Sequence, residues 1–295
     1  MCRSVYDLAL ARVEAMSVPN ITLHDGTTIP QLGFGTWQVP AGQTADVVGK
    51  ALEIGYRHID TAQMYGNEEG VGQAIRDAGL ARDEVYVTTK LNNGFHQPDE
   101  AKRSLDESLK LLGLEQVDLF LIHWPLPTQY DGDFVSTWRA LVDLREAGLT
   151  RSIGVSNFQP AHLDRIIEET GVVPVVNQVE VHPFFANEDV RVANAGHGIA
   201  TEAWSPLAQG KVGDDDVMGE IASLVGRTPA QVALRWAIQR GDIVFPKSTT
   251  PSRIQQNFEV FDFELTPEQM SAVDALDQGP SRRMGPHPDT FDWVP

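Results

Sequence analysis

From position 20 onward the chain alternates between two patterns. Short apolar runs occupy 33–37, 57–60, 85–89, 117–123, 152–156, 175–180, 199–204 and 243–246. Runs of this length bounded by turn residues read as strands. Between them, the segments 45–54, 68–78, 99–112, 134–146, 161–170 and 230–239 each return apolar residues every three or four positions. That spacing gathers them on one face of a helix. Ahead of the first run, 21–23 and 29–32 flank His24-Asp25-Gly26-Thr27. Asp-Gly between two strand-like runs reads as a β-hairpin. Eight strands with intervening helices predict an α/β fold, a single (β/α)8 TIM barrel of parallel strands. An open doubly wound sheet is the alternative built from the same elements.

No Ser- or Gly-rich linker divides the chain, so residues 17–295 are expected to form one domain. The hairpin would close the barrel bottom and the C-terminal tail would lie over the mouth. Residues 1–16 are set apart as an N-terminal extension. Their weak helical spacing (Val5, Leu8, Ala9, Val13) fits a short surface helix, and it fits equally an upstream start with Met16 beginning the compact protein. Arg3, Asp7, Arg12 and Glu14 interrupt any signal-peptide core, so a cytoplasmic protein is expected.

Charge narrows the partners. The 295 residues carry a formal net charge of −18, a poor match for nucleic acid or an anionic membrane surface. A phosphate ligand would need a local basic cluster. With Cys2 as the single cysteine, no internal disulfide is possible. Glycine motifs add little. Gly33-Phe34-Gly35 begins like a dinucleotide fingerprint, but Gln38 stands where the third glycine belongs, and tight packing in the first strand is the better reading.

In a barrel, chemistry sits at the carboxyl ends of the strands. The second run ends in Asp60 and leads to Tyr65, the third leads to Lys90, and the fourth ends in His123. Taken singly, Asp60 could be a helix cap, Tyr65 a loop aromatic and His123 a satisfied core histidine. Lysine rarely ends an apolar strand inside a barrel. A phenol is a weak acid near neutrality, and an adjacent ammonium favours giving up its proton. A carboxylate keeps that ammonium charged, and an imidazole can hold a carbonyl oxygen. Such a set can protonate a carbonyl while a nicotinamide supplies hydride.

The order of these motifs resembles the aldo-keto reductase family. Gly55-Tyr56-Arg57-His58-Ile59-Asp60-Thr61-Ala62 with Tyr65-Gly66-Asn67-Glu68, Thr88-Thr89-Lys90, residues 118–125, Gly154-Val155-Ser156-Asn157-Phe158 and Pro246-Lys247-Ser248 carry the likeness. Within the family the chain looks closest to the prokaryotic branch that includes 2,5-diketo-D-gluconate reductases. The resemblance implies a catalytic set of Asp60, Tyr65, Lys90 and His123. Tyr65 would be the general acid, Lys90 would depress its pKa, and Asp60 would pair with Lys90. It implies NADPH as cofactor. Ser156, Asn157 and Gln178 would hold the nicotinamide carboxamide, with Trp204 stacked on the ring. Ser205, Leu207, Gln209 and Gly210 would cross the pyrophosphate. Lys247, Ser248, Thr249, Arg253, Gln256 and Asn257 would hold the phosphate end. Thr250-Pro251 reads independently as a helix start, a ready anion site. The resemblance also implies a monomer.

The substrate wall is drawn from Trp37, Asn92, His123 and Trp124, with His287, Phe291 and Trp293 in the tail. Asn92 stands where many relatives carry an aromatic residue, and the loop 125–131 is short. Small aldehydes, ketones or dicarbonyls, methylglyoxal-like or keto-sugar, are the expected substrates. Two alternatives use the same residues. One is a metal-dependent barrel hydrolase with His58/Asp60, Glu180/His182 and His123, which leaves Lys90 without work; no metal is expected. The other is a non-catalytic NADPH-binding regulatory subunit.

Overall fold

The computed structural model describes residues 18–295; the expected extension 1–16 lies outside them. A two-stranded antiparallel hairpin comes first, β1 (Asn20–Thr22) and β2 (Thr28–Pro30). Eight strands follow in parallel: β3 (Phe34–Gly35), β4 (His58–Asp60), β5 (Tyr86–Leu91), β6 (Val117–Ile122), β7 (Thr150–Ser156), β8 (Val176–Glu180), β9 (Ala200–Trp204) and β10 (Ile243–Val244). Each pairs with its sequence neighbour. The ring closes where Leu32 bridges Val244 in parallel, with Gly33 N donating to Val244 O at 2.8 Å. The sheet is therefore a barrel rather than an open doubly wound sheet.

The seam shows why Gly33 and Gly35 are glycines. A Cβ on Gly33 would lie 2.8 Å from His58 Nδ1, and one on Gly35 2.9 Å from the Phe245 carbonyl oxygen. Close packing in the first strand, not dinucleotide binding, is their role. The hairpin plugs the bottom. Leu23 and Ile29 are buried with Leu119, Leu121, Val175, Val176, Ile243 and Phe245, residues of the barrel interior.

Ten helices among the described residues pack outside: α1 (Ala41–Ile54), α2 (Glu68–Asp77), α3 (Pro98–Leu112), α4 (Phe134–Glu146), α5 (Pro160–Thr170), α6 (Glu188–Gly196), α7 (Asp216–Val225), α8 (Pro229–Gln239), α9 (Pro251–Phe258) and α10 (Pro267–Asp274). Helices α3, α5 and α8 begin one residue earlier than periodicity predicts, each on a proline. Proline's fixed φ suits the first helical position, and its missing N–H is unpaired there in any case. Helix α1 begins four residues before the predicted start because its first turn is largely exposed and shows no stripe.

Strand alternation places the chemistry. Successive side chains point to opposite faces. Outward Ile59, Val87, Phe120 and Val179 bury against the helices. Inward positions run from apolar at the bottom to polar at the top, as in Tyr86, Thr88 and Lys90 of β5, and in Leu119 and Leu121 of β6 followed by His123.

Candidate active site

Three strand ends bring Asp60, Tyr65, Lys90 and His123 together at the mouth. Lys90 is fully buried, and its Nζ donates to Asp60 Oδ1 at 2.7 Å, Asp60 Oδ2 at 2.9 Å and Thr61 O at 2.9 Å. The same ammonium reaches Tyr65 Oη at 3.4 Å. The Tyr65 and His123 rings meet edge to face, 5.7 Å between centroids. Tyr65 is delivered by a single 3-10 turn, Gln63–Tyr65, closed by left-handed Gly66.

Burial and the neighbouring charges set the protonation of the group. Burial pushes the Tyr65 phenol above its usual value; Lys90 pulls it back down and Asp60 adds to the rise. The net shift is upward, so the phenol holds its proton at neutral pH, although the lysine acts in the expected direction. Burial works against the Lys90 ammonium, but Asp60, Tyr65 and Glu202 together outweigh it and the amine is held charged. His123 is driven well below the ordinary imidazole range by burial and then by Lys90, so it is neutral. Its Nδ1 is buried without a hydrogen-bond partner.

Behind this group lies Glu202, which the strand-end reading missed, joined to the mouth through Gln178. Gln178 Nε2 donates to Asp60 Oδ2 and to Glu202 Oε2, 2.9 Å each. Glu202 is wholly buried in β9. It sits two residues before Trp204, on the same inward row, so period two starting from Trp204 was the signal for it.

The expected cofactor residues surround the mouth. Ser156 Oγ donates to Gln178 O, and Asn157 Nδ2 donates to His123 O and Ser156 Oγ. Trp204 Nε1 donates to Asn157 Oδ1 at 2.9 Å, which fixes the indole. After β9 the backbone turns left-handed at Ser205, Ala208, Gln209 and Gly210. Non-glycine residues in that conformation are uncommon, and here they mark a tight turn. Leu207 is half-buried there, while Gln209 and Gly210 are exposed.

Helix α9 starts as read, with Thr250 at the cap position and Pro251 first. The Thr250 side chain makes no cap bond, however; instead the Thr250 N–H donates to Ser248 Oγ. Lys247, Thr249, Arg253 and Gln256 are exposed, Ser248 is half-buried and Asn257 is buried. Among the described residues neither Lys247 nor Arg253 forms an ion pair, whereas Arg82, Arg191, Arg227 and Arg240 all do.

The residues expected to form the substrate wall have the following surroundings. Trp37 follows β3 and is 47% exposed, and Trp124 packs on Phe291 of the tail at 4.2 Å. Asn92 turns back on its own loop, its Oδ1 accepting from Gly94 N at 2.9 Å. The neighbouring Asn93 holds the tail, donating to Trp293 O at 3.0 Å. Lower in the tail, the Met284 and Gly285 N–H groups both donate to Glu180. The tail therefore lies over the mouth, strapped to β8 and to the loop after β5. The rival metal set is dispersed. His58 faces Pro30 O and Thr88 Oγ1, and no three potential ligands converge among the described residues.

A (β/α)8 barrel with a buried carboxylate–ammonium pair beside a half-buried phenol at its mouth defines the class, and sequence comparison agrees. The chain belongs to the aldo/keto reductase family, whose profile matches residues 31–278. It is 52% identical over 276 residues to methylglyoxal reductase DkgA of Yersinia pestis, covering 92% of this chain and 97% of that one. Among solved structures it resembles a Gox0644 mutant in complex with NADPH (TM-score 0.90, 46% identity, 94% of this chain and 100% of that one). It also resembles the Bombyx mori aldo-keto reductase in complex with NADP (TM-score 0.83, 39% identity, 89% and 94%).

Proposed function

We propose that this protein reduces small aldehydes, ketones or dicarbonyls, methylglyoxal-like or keto-sugar in type, with NADPH, and that its catalytic unit is residues 17–295. The observation that carries the reading is the Lys90 ammonium, fully buried yet bonded to both Asp60 oxygens and within 3.4 Å of the Tyr65 phenol. A bare structural ion pair needs no phenol at the mouth.

The residues present fit the cofactor. Lys247 and Arg253 stand exposed and unpaired among the described residues at the start of α9, in a chain of net charge −18. A helix N-terminus with two free cations suits a phosphate such as the 2′-phosphate. Ser205, Leu207, Gln209 and Gly210 line the left-handed turn suited to a pyrophosphate. Ser156, Asn157 and Gln178 would hold the carboxamide, and the pinned Trp204 face would carry the ring. Bound NADPH supplies the hydride.

The protein's own groups do the rest. Tyr65 keeps its proton at neutral pH and gives it to the carbonyl oxygen as negative charge develops there. Lys90 stabilises the phenolate left behind, and Asp60 holds Lys90 charged and aimed. Neutral His123 offers a ring N–H to the same oxygen and so orients the carbonyl. Trp37 and Trp124 flank the substrate. The same reading takes the protein as a cytoplasmic monomer; sedimentation of the purified chain as a dimer would remove the second part.

Tyr65→Phe tests the reading. Carbonyl reduction should fall by about 10² to 10⁴-fold, the range of a lost general acid. NADPH binding, followed by fluorescence, should persist. Turnover near the parent rate would refute the assignment of Tyr65.

A further inference from the structure

We propose that Glu202 is a positioning residue for this reaction: its carboxyl clamps the Gln178 amide against Asp60, and its charge state is coupled through the Asp60–Lys90 pair to that of Tyr65. The inference rests on the reading above.

Gln178 has two amide hydrogens, and both are committed, one to Asp60 and one to Glu202. Its Oε1 is then the edge left for another partner, and an oxygen can only accept. Two carboxyl groups thus determine that the mouth meets an acceptor rather than a donor. A carboxamide N–H is the group such an edge recognises. Without Glu202, one hydrogen loses its partner and the amide can turn over.

Glu202 is also an uncommitted charge. Its Oε1 is buried with no partner, so no hydrogen bond satisfies a charge on that oxygen. Burial, and then the neighbouring Asp60, push it up to about 8, while Gln178 and Lys90 pull the other way. The groups around it are few. Asp60 comes from β4, Lys90 and the Tyr86 phenol from β5 and Gln178 from β8; β10 contributes apolar Ile243 in register. When Glu202 ionises, Lys90 is held more firmly charged and the Tyr65 phenolate is disfavoured. The acid form needed for reduction then persists to higher pH, and the base form needed for alcohol oxidation is delayed.

Glu202→Gln keeps an acceptor for Gln178 but cannot ionise; Glu202→Leu removes the acceptor. Oxidation of a short alcohol by the NADP⁺-loaded enzyme rises with pH as Tyr65 deprotonates. In Glu202→Gln that limb should move to lower pH by about half a unit or more. In Glu202→Leu the dissociation constant for NADPH should rise about fivefold or more, the worth of one hydrogen bond. A pH limb in Glu202→Gln that coincides with the parent's, or moves to higher pH, overturns the charge coupling. Parent-like NADPH affinity in Glu202→Leu overturns the clamp. If the leucine variant does not fold, the near-isosteric glutamine variant still decides the charge coupling, and Glu202→Ala, which also removes the acceptor, decides the clamp by the same NADPH measurement. An active Tyr65→Phe enzyme would instead sink the underlying functional reading, whatever Glu202 does.

Discussion

Replacing Asp60 with asparagine would strip the Lys90 ammonium of its counter-charge while barely changing shape. At 2.7 Å the pair attraction is about 6 kcal/mol for an effective dielectric near 20, much of it cancelled by the cost of burying both ions. Breaking such a pair from one side costs about 3–5 kcal/mol, because the surviving charge stays buried. Thr61 O still accepts from Lys90, and the new amide oxygen can too, so the lower figure applies. With a urea slope of about 3 kcal/mol per molar, the unfolding midpoint should fall by about 1 M at pH 7. The pH dependence gives a sharper test. In the parent, Lys90 is raised above its unfolded value, so its contribution is present below about 10.4 and is lost at more alkaline pH. In Asp60→Asn the dominant influence left is burial, which lowers the amine. The folded state then binds fewer protons than the unfolded one, and stability should climb as pH rises from 7 to 9.5. Urea titrations at both pH values are the assay. A midpoint within about 0.3 M of the parent, with no upward slope, would refute the reasoning.

Arg253→Ala should weaken NADPH by tenfold or more, about the worth of one charge-assisted hydrogen bond, and leave NADH nearly unchanged; equal losses would remove the 2′-phosphate assignment. Gly285→Ala would place a Cβ 2.6 Å from the Trp204 ring, so nicotinamide binding by fluorescence should weaken. Glu202 titrates near 8 when folded and near 4.3 when unfolded; the folded state carries the extra proton in that window, so Glu202 makes stability fall as pH rises across it. Thermal melts from pH 5 to 8 should show a smaller fall in Glu202→Gln. His123 is held neutral well below 6.5, so reduction should show no acid limb from imidazole protonation between pH 6 and 7.5, a range that rate profiles cover directly.

The barrel was legible because apolar residues such as Ile59, Val87, Phe120 and Val179 recur on the side facing the helices, while Asp60, Lys90 and His123 stand at or just past the upper inward ends. Helices α6, α7 and α10 were not: Val190 and Val273 are the only apolar side chains that α6 and α10 bury, too few to make a period, whereas α7 buries Met218, Ile221 and Ala222 at helical spacing and was open to reading. The four mouth residues could be read because each falls at a strand end or just past one, where position in the sequence implies position in space. Their partners could not. The link from Gln178 to Asp60 spans the barrel interior, and nothing in the local pattern of β8 names an acid on β4. Asn92 has a local partner that the strand pattern did not name. Its place at a strand end was right, but a two-residue turn claims its side-chain oxygen for Gly94, and Asn93 secures the tail.

The seam between β3 and β10 carries a consequence for how the molecule forms. Every other strand meets a partner that is its immediate neighbour along the chain, so a growing sheet can add strands one at a time. The closing bond between Gly33 and Val244 joins opposite ends of that order and must wait for the last strand to arrive. Until then the glycine edge of β3 stands open, a flat, unpaired border of the kind that invites another chain. Closure also carries Lys247 to the rim, one residue beyond the proline whose carbonyl takes the Gly35 N–H. The phosphate end of the proposed site is therefore created by the same event that seals the barrel, and a partly closed molecule would be both sticky and unable to hold its cofactor.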